Sequence, residues 1–498
     1  MGNDIVTLSQ YDNVATFGLN SMRELEDLNK ALQAGYDNPP ATGGGALRVE
    51  SLEQSLKILT YQAKHCVMWQ KIPKAPAFST VEEFNQLRSV GNDQGAFVFE
   101  GELPASNDSD YNRAVQLVKF LGTTRTVTHP MTLVRTSIGD VIAQENTNGI
   151  LWILKNLEWA FFNGNADMCY CGLATDSTHR EGPEFNGLAQ QIDSSMVVDM
   201  YGAPLTTKTL SDAAQMVASN YGIATDAFLS FGAIEDLSNS LIGPAQRILL
   251  PNAAQDGFTF GGSVKDISTP FGNINLNPDV FLNPGISPPT IISTNVVGLV
   301  PSSPASVTSA MGAAGTGNWT EYAPSNGNMA YGGDGTYTYQ VTACNRWGES
   351  LPTTISAPVV ISGSNDTEAV ILSITNGGGN NPPEYFKIYK SQPGGTGVYL
   401  VARVQAANQS SAGVTTFTDD GSILAGTSTA YVGQLDMQVL AAKQLAPLMK
   451  MDLAVIAPSV RWMILCYITM LVYAPKKWVV IKNIGRPSGS DIPTQGVN

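Results

Sequence analysis

Cys169 and Cys171, spaced as C-x-C with His179 close behind, come nearest to a metal site in this chain. Zinc sites usually combine two cysteine pairs, each separated by two to four residues, and this sequence has no second pair. We favour a loop with two free thiols in a reducing cytoplasm, with bound zinc as the alternative. The other cysteines are scattered and predict no disulfide framework: Cys66, Cys344 and Cys466.

The other residue types that carry out catalysis are dispersed. His65, His129 and His179 fall in different predicted elements, and none accompanies a serine elbow. The sequence contains no phosphate-binding G-x4-G-K-[ST], no H-E-x-x-H and no G-x-S-x-G. Asp419 and Asp420 are typical of a turn, with calcium binding as the alternative. We therefore predict a protein that is not an enzyme, with no catalytic, cofactor-binding or metal-binding residues.

Composition indicates a surface made for other copies of the chain. Charged residues make up only 14% of the 498 residues, against about 25% in ordinary soluble proteins. Low charge favours burial between subunits, and a β-rich surface of Ser, Thr, Asn and Gly is the alternative. The net charge of −14 argues against tight nucleic-acid binding, which needs clustered Lys and Arg.

No membrane span or export signal is predicted. The most apolar run, Trp462–Ala474, is 13 residues long, whereas a spanning helix needs about 20. It is interpreted as a buried central strand. The opening residues lack a basic start and an apolar core, so we expect a soluble protein without a secretory leader.

The most informative segment runs from Arg113 to Leu188. A long strand-like stretch from Arg113 leads into one predicted helix, Ser137–Phe162, about 39 Å long. The helix ends at F-F-N-G-N and is followed by the turn-like E-F-N-G-L, Glu184–Leu188. It carries one apolar stripe, made of Ile138, Val141, Ile142, Ile150, Ile153, Leu154, Leu157 and Phe161.

An extended hairpin, a long lone helix ending in N-G-N, and F-N-G-L resemble the HK97-fold major capsid proteins of tailed bacteriophages. The closing segment Arg461–Gly485, with A-P-K-K and I-K-N-I-G, also resembles their final strands. The resemblance implies an α+β subunit. Its parts would be an N-terminal arm, a hairpin called the E-loop that lies over a neighbouring subunit, a peripheral P-domain with the long spine helix, and an A-domain around the symmetry axes.

A change of composition over 301–433 predicts an all-β insertion. Gly, Ser, Thr and Asn dominate there, and short strands alternate with turns. Tyr337–Ser350 resembles a strand of fibronectin type III and immunoglobulin-like modules. The strand candidates are Gly335–Asn345, Ala369–Thr375, Glu384–Ser391, Gly397–Gln405 and Val414–Gly421.

The predicted domains follow from these elements. Over Leu47–Lys71 we expect a helix that leads into a strand. The same order is expected near the C-terminus, with a helix over Leu435–Ala454 and a strand that begins at Arg461. A short helix, Met22–Gly35, lies in the arm. The predicted parts are the N-terminal arm, 1–46; the P-domain, 47–77, 127–204 and 458–498; the E-loop, 78–126; the A-domain, 205–300 and 434–457; and the immunoglobulin-like insertion, 301–433.

The resemblance implies a structural subunit of an icosahedral viral shell, assembled in the host bacterial cytoplasm. Pentamers and hexamers of the chain would enclose double-stranded DNA without sequence-specific binding. Scaffold, portal and vertex or decoration proteins are the implied partners, with scaffolding supplied by a separate protein or by the short N-terminal arm. Lys119, the lysine of the E-loop, lies in a strand, which disfavours a Lys–Asn cross-link between subunits. The alternatives are an encapsulin-like compartment shell and a secreted adhesin or polysaccharide-active protein.

Overall fold

The computed structural model describes residues 62–91, 96–104, 106–134, 140–168, 183–241, 250–251, 258–259, 264–283, 299–320, 331–345, 347–379, 381–407 and 413–486. The elements given below belong to one compact unit. The predicted arm helix, Met22–Gly35, and the C-x-C pair with His179 lie outside the described residues.

The longest helix is the spine predicted from the apolar stripe. It spans Val141–Asn163, or 23 residues, which corresponds to about 34 Å. Its predicted first turn falls partly on residues that are not described, and its end at N-G-N is confirmed. The helices are α1 (Val67–Lys71), α2 (His129–Leu133), α3 (Val141–Asn163), α4 (Leu188–Gln191), α5 (Thr207–Ser219) and α6 (Phe231–Leu241).

The spine α3 packs on a four-stranded sheet. In spatial order the sheet contains β1 (Lys74–Pro76), β22 (Leu440–Asp452), β23 (Ser459–Val472) and β4 (Lys119–Thr128). Ile153 and Leu157 of α3 share an apolar core with Trp462 and Ile464 of β23. Gly149 lets α3 approach this sheet, because a Cβ atom there would lie 2.5 Å from the Ile464 side chain. The predicted central strand over 462–474 is confirmed.

A six-stranded sheet shares the same core. In spatial order it contains β5 (Val197–Asp199), β24 (Trp478–Ile484), β21 (Ser428–Gly433), β6 (Asp226–Leu229), β10 (Gly272–Pro278) and β9 (Asp266–Thr269). The pairs β6–β10 and β5–β24 are parallel. The helices α5 and α6 flank β6, which is buried along its length.

The region predicted as all-β has its own apolar core. One sheet contains β11 (Ser306–Ala314), β17 (Glu368–Thr375) and β20 (Val414–Asp419). The other contains β14 (Gly348–Glu349), β13 (Tyr339–Asn345), β18 (Tyr385–Ser391) and β19 (Val398–Gln405), with β15 (Thr353–Thr354) beside β13. A further pair joins β12 (Gly335–Tyr337) to β16 (Val359–Ile361). Leu372 of one sheet and Phe386 of the other meet in one cluster, so the sheets form a β-sandwich.

Two further antiparallel pairs complete the described strands. The first is the hairpin β2 (Val81–Ser89) and β3 (Asp110–Leu117), which lies within the predicted E-loop, 78–126. The second pairs β7 (Leu250–Pro251) with β8 (Phe258–Thr259).

Two secondary-structure predictions were wrong. The segment 435–454 was expected to be a helix, but residues 440–452 form β22, because pairing with β23 outweighs the helix propensity of its Ala, Leu and Met residues. Pro447 lies within the second register shift of that strand, between Ala446 and Met449, where a missing N–H is tolerated. The segment 47–71 was expected to be a helix that leads into a strand. Residues 67–71 at its end form α1 instead, and residues 47–61 lie outside the described residues.

These differences also move the predicted domain boundaries. β22 was assigned to the A-domain, yet it pairs with β23 and β1 of the predicted P-domain. β21 was assigned to the insertion, yet it lies in the six-stranded sheet between β24 and β6. The strands that share the separate sandwich core therefore run from Ser306 to Asp419.

Candidate functional site

The loop of the β2–β3 hairpin presents apolar side chains to solvent. Phe97 is 100% exposed, and Phe99 and Leu103 are nearly so. They lie in a segment without strand pairing, beyond the ends of β2 and β3. Exposed aromatic and aliphatic side chains grouped in one loop mark an interaction surface. We call residues 96–104 the hairpin loop.

The hairpin is attached to the body at its base. The amide of Gln86 donates to the Tyr473 carbonyl oxygen at 2.7 Å, and the ring of Phe84 meets the Tyr473 ring edge-on at 4.9 Å. Lys443 of β22 lies 4.0 Å from the Glu82 carboxylate. Lys119 begins β4 and is buried, so its position agrees with a strand lysine rather than one at the hairpin loop.

The C-terminal end of the spine is closed by two glycine turns. The N–H of Gly187 donates to the carbonyl oxygen of Gly164 at 2.9 Å. A Cβ atom at Gly187 would lie 2.6 Å from the Ala160 oxygen and 2.8 Å from the Phe162 oxygen. The N-G-N and F-N-G-L motifs therefore pack backbone against backbone, which only glycine permits.

The sandwich is anchored at this same end of α3. Arg403 of β19 donates to both carboxylate oxygens of Glu184 at 2.9 Å and to the Asn163 carbonyl oxygen at 3.2 Å. Its guanidinium lies 4.3 Å from the centre of the Trp159 ring. The cation also meets the last carbonyl groups of a long helix, where the helix dipole is negative. A cavity of about 230 Å³ adjoins this anchor, beside Phe281 and Thr427.

The sandwich contains buried ion pairs that sequence analysis missed. Lys387 lies 2.7 Å from Glu349, and Lys390 lies 2.8 Å from Asp419. The hydroxyl of Tyr339 donates to the same Asp419 oxygen at 2.9 Å. Both lysines are almost fully buried. Charged residues inside β18 would have been the available signal, but their partners lie far along the chain.

The residues singled out as candidate ligands are placed differently. Asp419 is occupied by Lys390, which stands where a calcium ion would have to bind. Asp420 accepts from the Ser422 N–H, as expected of a turn. His65 accepts from the Gln62 N–H, and His129 is the first residue of α2. Within the described ranges, no group of three or more His, Cys, Asp and Glu could hold a metal ion.

None of the described helices is long and apolar enough to cross a membrane.

Residues 101–303 match the family model described as SU10 major capsid protein. The chain is also 29% identical over 471 residues to the major capsid protein of Staphylococcus phage S25-3, covering 92% of this chain and 95% of that protein. The chain is therefore similar to phage major capsid proteins over nearly its whole length. The major capsid protein of Staphylococcus phage K gives the same identity and coverage.

These similarities support the chain's function as a structural subunit of the phage virion shell. Solved structures with a similar course include the capsid of a native GTA particle, with 9% identity, a TM-score of 0.42, and coverage of 90% of this chain and 99% of that one. The capsid of cyanophage P-SCSP1u has 9% identity and a TM-score of 0.41, with coverage of 93% of this chain and 98% of that one. The holo-SrpI encapsulin complex of Synechococcus elongatus has 10% identity and a TM-score of 0.36, with coverage of 89% of this chain and 95% of that one.

Proposed function

We propose that this capsid protein assembles into pentamers and hexamers of an icosahedral shell that encloses double-stranded DNA. Assembly would occur in the host bacterial cytoplasm, with scaffold, portal and vertex or decoration proteins as further partners. The DNA would be enclosed without sequence-specific contacts, consistent with a net charge of −14.

The observation that carries this proposal is the hairpin loop. The side chains of Phe97 and Phe99 are 100% and 81% exposed in the subunit. Burying each ring would stabilise the protein by about 2 kcal/mol. The contacts that β2 makes with the body include Glu82 with Lys443 of β22 and Gln86 with Tyr473, which follows β23. Such a projection is suited to lie over a neighbouring copy, which would supply the missing apolar contacts.

We propose a division of labour among the parts of the subunit. The arm (1–46) and the E-loop (78–126) would reach across neighbours. The spine and the four-stranded sheet would form the P-domain, including β22. The helices and strands within 205–300 would form the A-domain. The sandwich would be an immunoglobulin-like insertion that projects from the outer face, because an inserted module must leave through a surface loop.

Assembly of the purified chain tests the proposal. Negative-stain electron microscopy, with and without a candidate scaffold protein, should show closed shells, tubes or capsomer rings. Phe97→Ser with Phe99→Ser should abolish these particles while leaving the thermal unfolding temperature unchanged, because neither ring packs on its own subunit. A matched control is Val360→Ser with Val414→Ser, which removes two exposed apolar side chains from the sandwich and should leave assembly intact.

Two outcomes would contradict the proposal. A chain that stays monomeric at high concentration with scaffold present would contradict self-assembly. Shells that enclose a partner enzyme in place of DNA would favour the encapsulin-like alternative. The contents of particles purified from infected cells distinguish the two shell functions, since packaged DNA is resistant to nuclease until the shell is opened.

A further inference from the structure

The turn after α5 holds a tyrosine in a left-handed backbone conformation. Tyr221 has a φ of 58°, and its side chain is 94% exposed. This conformation is unfavourable for a residue with a Cβ atom, and glycine usually occupies the position that follows a helix. The ring gains almost no packing within the subunit that could offset this strain. A strained residue whose side chain projects into solvent is a candidate for a contact outside the subunit.

Hydrogen bonds fix the backbone on both sides of this tyrosine. The N–H groups of Tyr221 and Gly222 donate to carbonyl oxygens of the last turn of α5, each at 3.0 Å. The N–H of Ile223 donates to the side-chain oxygen of Gln434 at 3.2 Å, which ties the turn to the segment after β21. The turn therefore presents its side chains in one defined place. A preorganised group loses little conformational freedom on binding, which favours a role as an interface anchor.

Apolar and basic side chains meet at this turn. Ile223, two residues after Tyr221, is 59% exposed. The Cγ atom of Lys477 lies 3.1 Å from the position that a Cβ atom would take at Gly222, so this lysine borders the turn. Lys476 precedes it and is exposed. We call the surface formed by Tyr221, Ile223, Lys476 and Lys477 the Tyr221 corner.

The hairpin loop has the complementary character. Its large apolar side chains, Phe97, Phe99 and Leu103, are almost fully exposed. Glu100 and Glu102 lie between them in the sequence and are exposed as well. The loop, residues 96–104, contains no lysine or arginine. It is therefore an apolar surface that carries negative charge, whereas the Tyr221 corner is an apolar surface that carries positive charge.

We propose that the hairpin loop of one copy docks on the Tyr221 corner of a neighbouring copy, with the apolar side chains of the two surfaces in contact and the carboxylates of the loop beside Lys476 and Lys477. This contact rests on the proposed assembly into a shell. Within one subunit the two surfaces are apart, because Phe97 is 100% exposed. The apolar contacts would supply most of the affinity, and the charges would set the partner and the register.

The charges around the corner favour an acidic partner. Lys476 interacts electrostatically with Asp193, and Lys477 adds a second positive charge. Two other exposed lysines are each paired with an aspartate of their own element, Lys208 in α5 and Lys450 in β22. A loop with two carboxylates would thus meet excess positive charge at the corner. A loop of positive charge would be repelled there.

Tyr221→Gly in the full chain tests the anchor. Glycine tolerates the left-handed conformation, so the unfolding temperature of the subunit should not fall, while the yield of assembled particles should drop because the ring is lost. Calorimetry and negative-stain electron microscopy measure the two effects. Tyr201→Gly is the matched control, since Tyr201 has a φ of 51° and is 51% exposed, and it should leave assembly unchanged.

Charge reversal tests the pairing of the two surfaces. Glu100→Lys with Glu102→Lys reverses the loop, and Lys476→Glu with Lys477→Glu reverses the corner. Each reversed variant should associate about tenfold less than wild type or weaker still, because like charges would face each other. The variant with all four substitutions should recover association, because opposite charges face each other again. Sedimentation of the full chain with a candidate scaffold measures association, and electron microscopy shows whether shells form.

The outcomes separate this contact from the shell function. Lys64→Glu with Lys265→Glu, two exposed lysines elsewhere, is the control and should associate as wild type does. Shells that form equally well from either reversed variant, or no recovery in the combined variant, would overturn the docking and leave the shell function standing. Small oligomers that follow the charge pattern without forming shells would support the docking and contradict the shell. A wild-type chain that does not associate would overturn both.

Discussion

The N–H of Gly187 donates to the carbonyl oxygen of Gly164 at 2.9 Å, so two N-G turns separated along the chain are joined through their backbones at the end of the spine helix. Glu184, in the same segment as Gly187, receives Arg403 of the sandwich. The helix terminus, the turn after it and the all-β part of the chain therefore depend on one junction. The first two predictions concern this junction.

Gly187→Ala should destabilise the subunit by about 3 kcal/mol. The added methyl group would meet three backbone atoms, from Ala160, Phe162 and Gly164, at 2.6 to 2.8 Å, and backbone cannot swing aside as a side chain can. Calorimetric unfolding of the purified subunit measures the change. Gly363→Ala is the control, because a Cβ atom there has open space, and it should leave the unfolding temperature unchanged. Equal effects at the two positions would contradict the backbone contact.

Arg403→Ala should lower the free energy of unfolding by about 3 kcal/mol, because the Glu184 carboxylate loses its bidentate cation in a largely desolvated place. Arg403→Lys should lower the free energy of unfolding by a smaller amount. An ammonium group cannot bind both carboxylate oxygens and stack on Trp159 at once. Urea unfolding followed by tryptophan fluorescence measures both. Arg113→Ala, in an exposed pair with Glu83, should be nearly neutral. Full stability of Arg403→Lys would contradict a role for the planar guanidinium.

Removing one partner of the buried pair Lys390–Asp419 should lower the free energy of unfolding strongly, whereas replacing both partners should lower it little. Lys390→Met would leave Asp419 buried, with the Tyr339 hydroxyl and the Gly421 N–H as its donors among the described residues, at a cost of about 3 to 5 kcal/mol. Lys390→Met with Asp419→Asn removes the isolated charge and keeps an oxygen for the Gly421 N–H, so most of the loss should be recovered. A double variant as unstable as the single one would show that the ammonium group matters through its position over Trp319 instead.

The spacing of apolar residues along the sequence was sufficient to predict the elements that pack through a continuous apolar surface. The stripe of α3 predicted its buried side, and the apolar run over 462–474 predicted the central position of β23. β22 was mistaken for a helix because Ala, Leu, Lys and Met favour helices. Pro447 inside the segment was the available warning, since it breaks a helix but fits an irregular point of a strand.

The buried polar groups could not be predicted in the same way. α1 is held by Glu158, whose bond to the Met68 N–H closes a separation of 90 residues along the chain. Arg403 and Glu184 are 219 residues apart. Charge in a strand or helix can be read from sequence, but its partner is chosen by the tertiary fold. The anchors of the sandwich and of α1 therefore emerge only from the structure.

The turn between β22 and β23 carries a second exposed apolar pair, and we predict that it contributes to contacts between subunits. Val455 and Ile456 are 78% and 83% exposed at the end of the longest hairpin in the described part of the chain. Val455→Ser with Ile456→Ser should reduce the yield of assembled particles while the unfolding temperature of the isolated subunit stays unchanged, because neither side chain packs on its own subunit. Electron microscopy and calorimetry on the same preparation measure the two effects.

The control for this prediction is again Val360→Ser with Val414→Ser, a pair exposed to a lesser degree on strands of the sandwich. If shells form as efficiently from the turn variant as from wild type, the turn lies free in the assembled particle. If the turn variant also unfolds at a lower temperature, its side chains serve the subunit rather than the contact between subunits. Loss of assembly with unchanged stability is the outcome expected of two hydrophobic groups that find their partners only on a neighbouring copy.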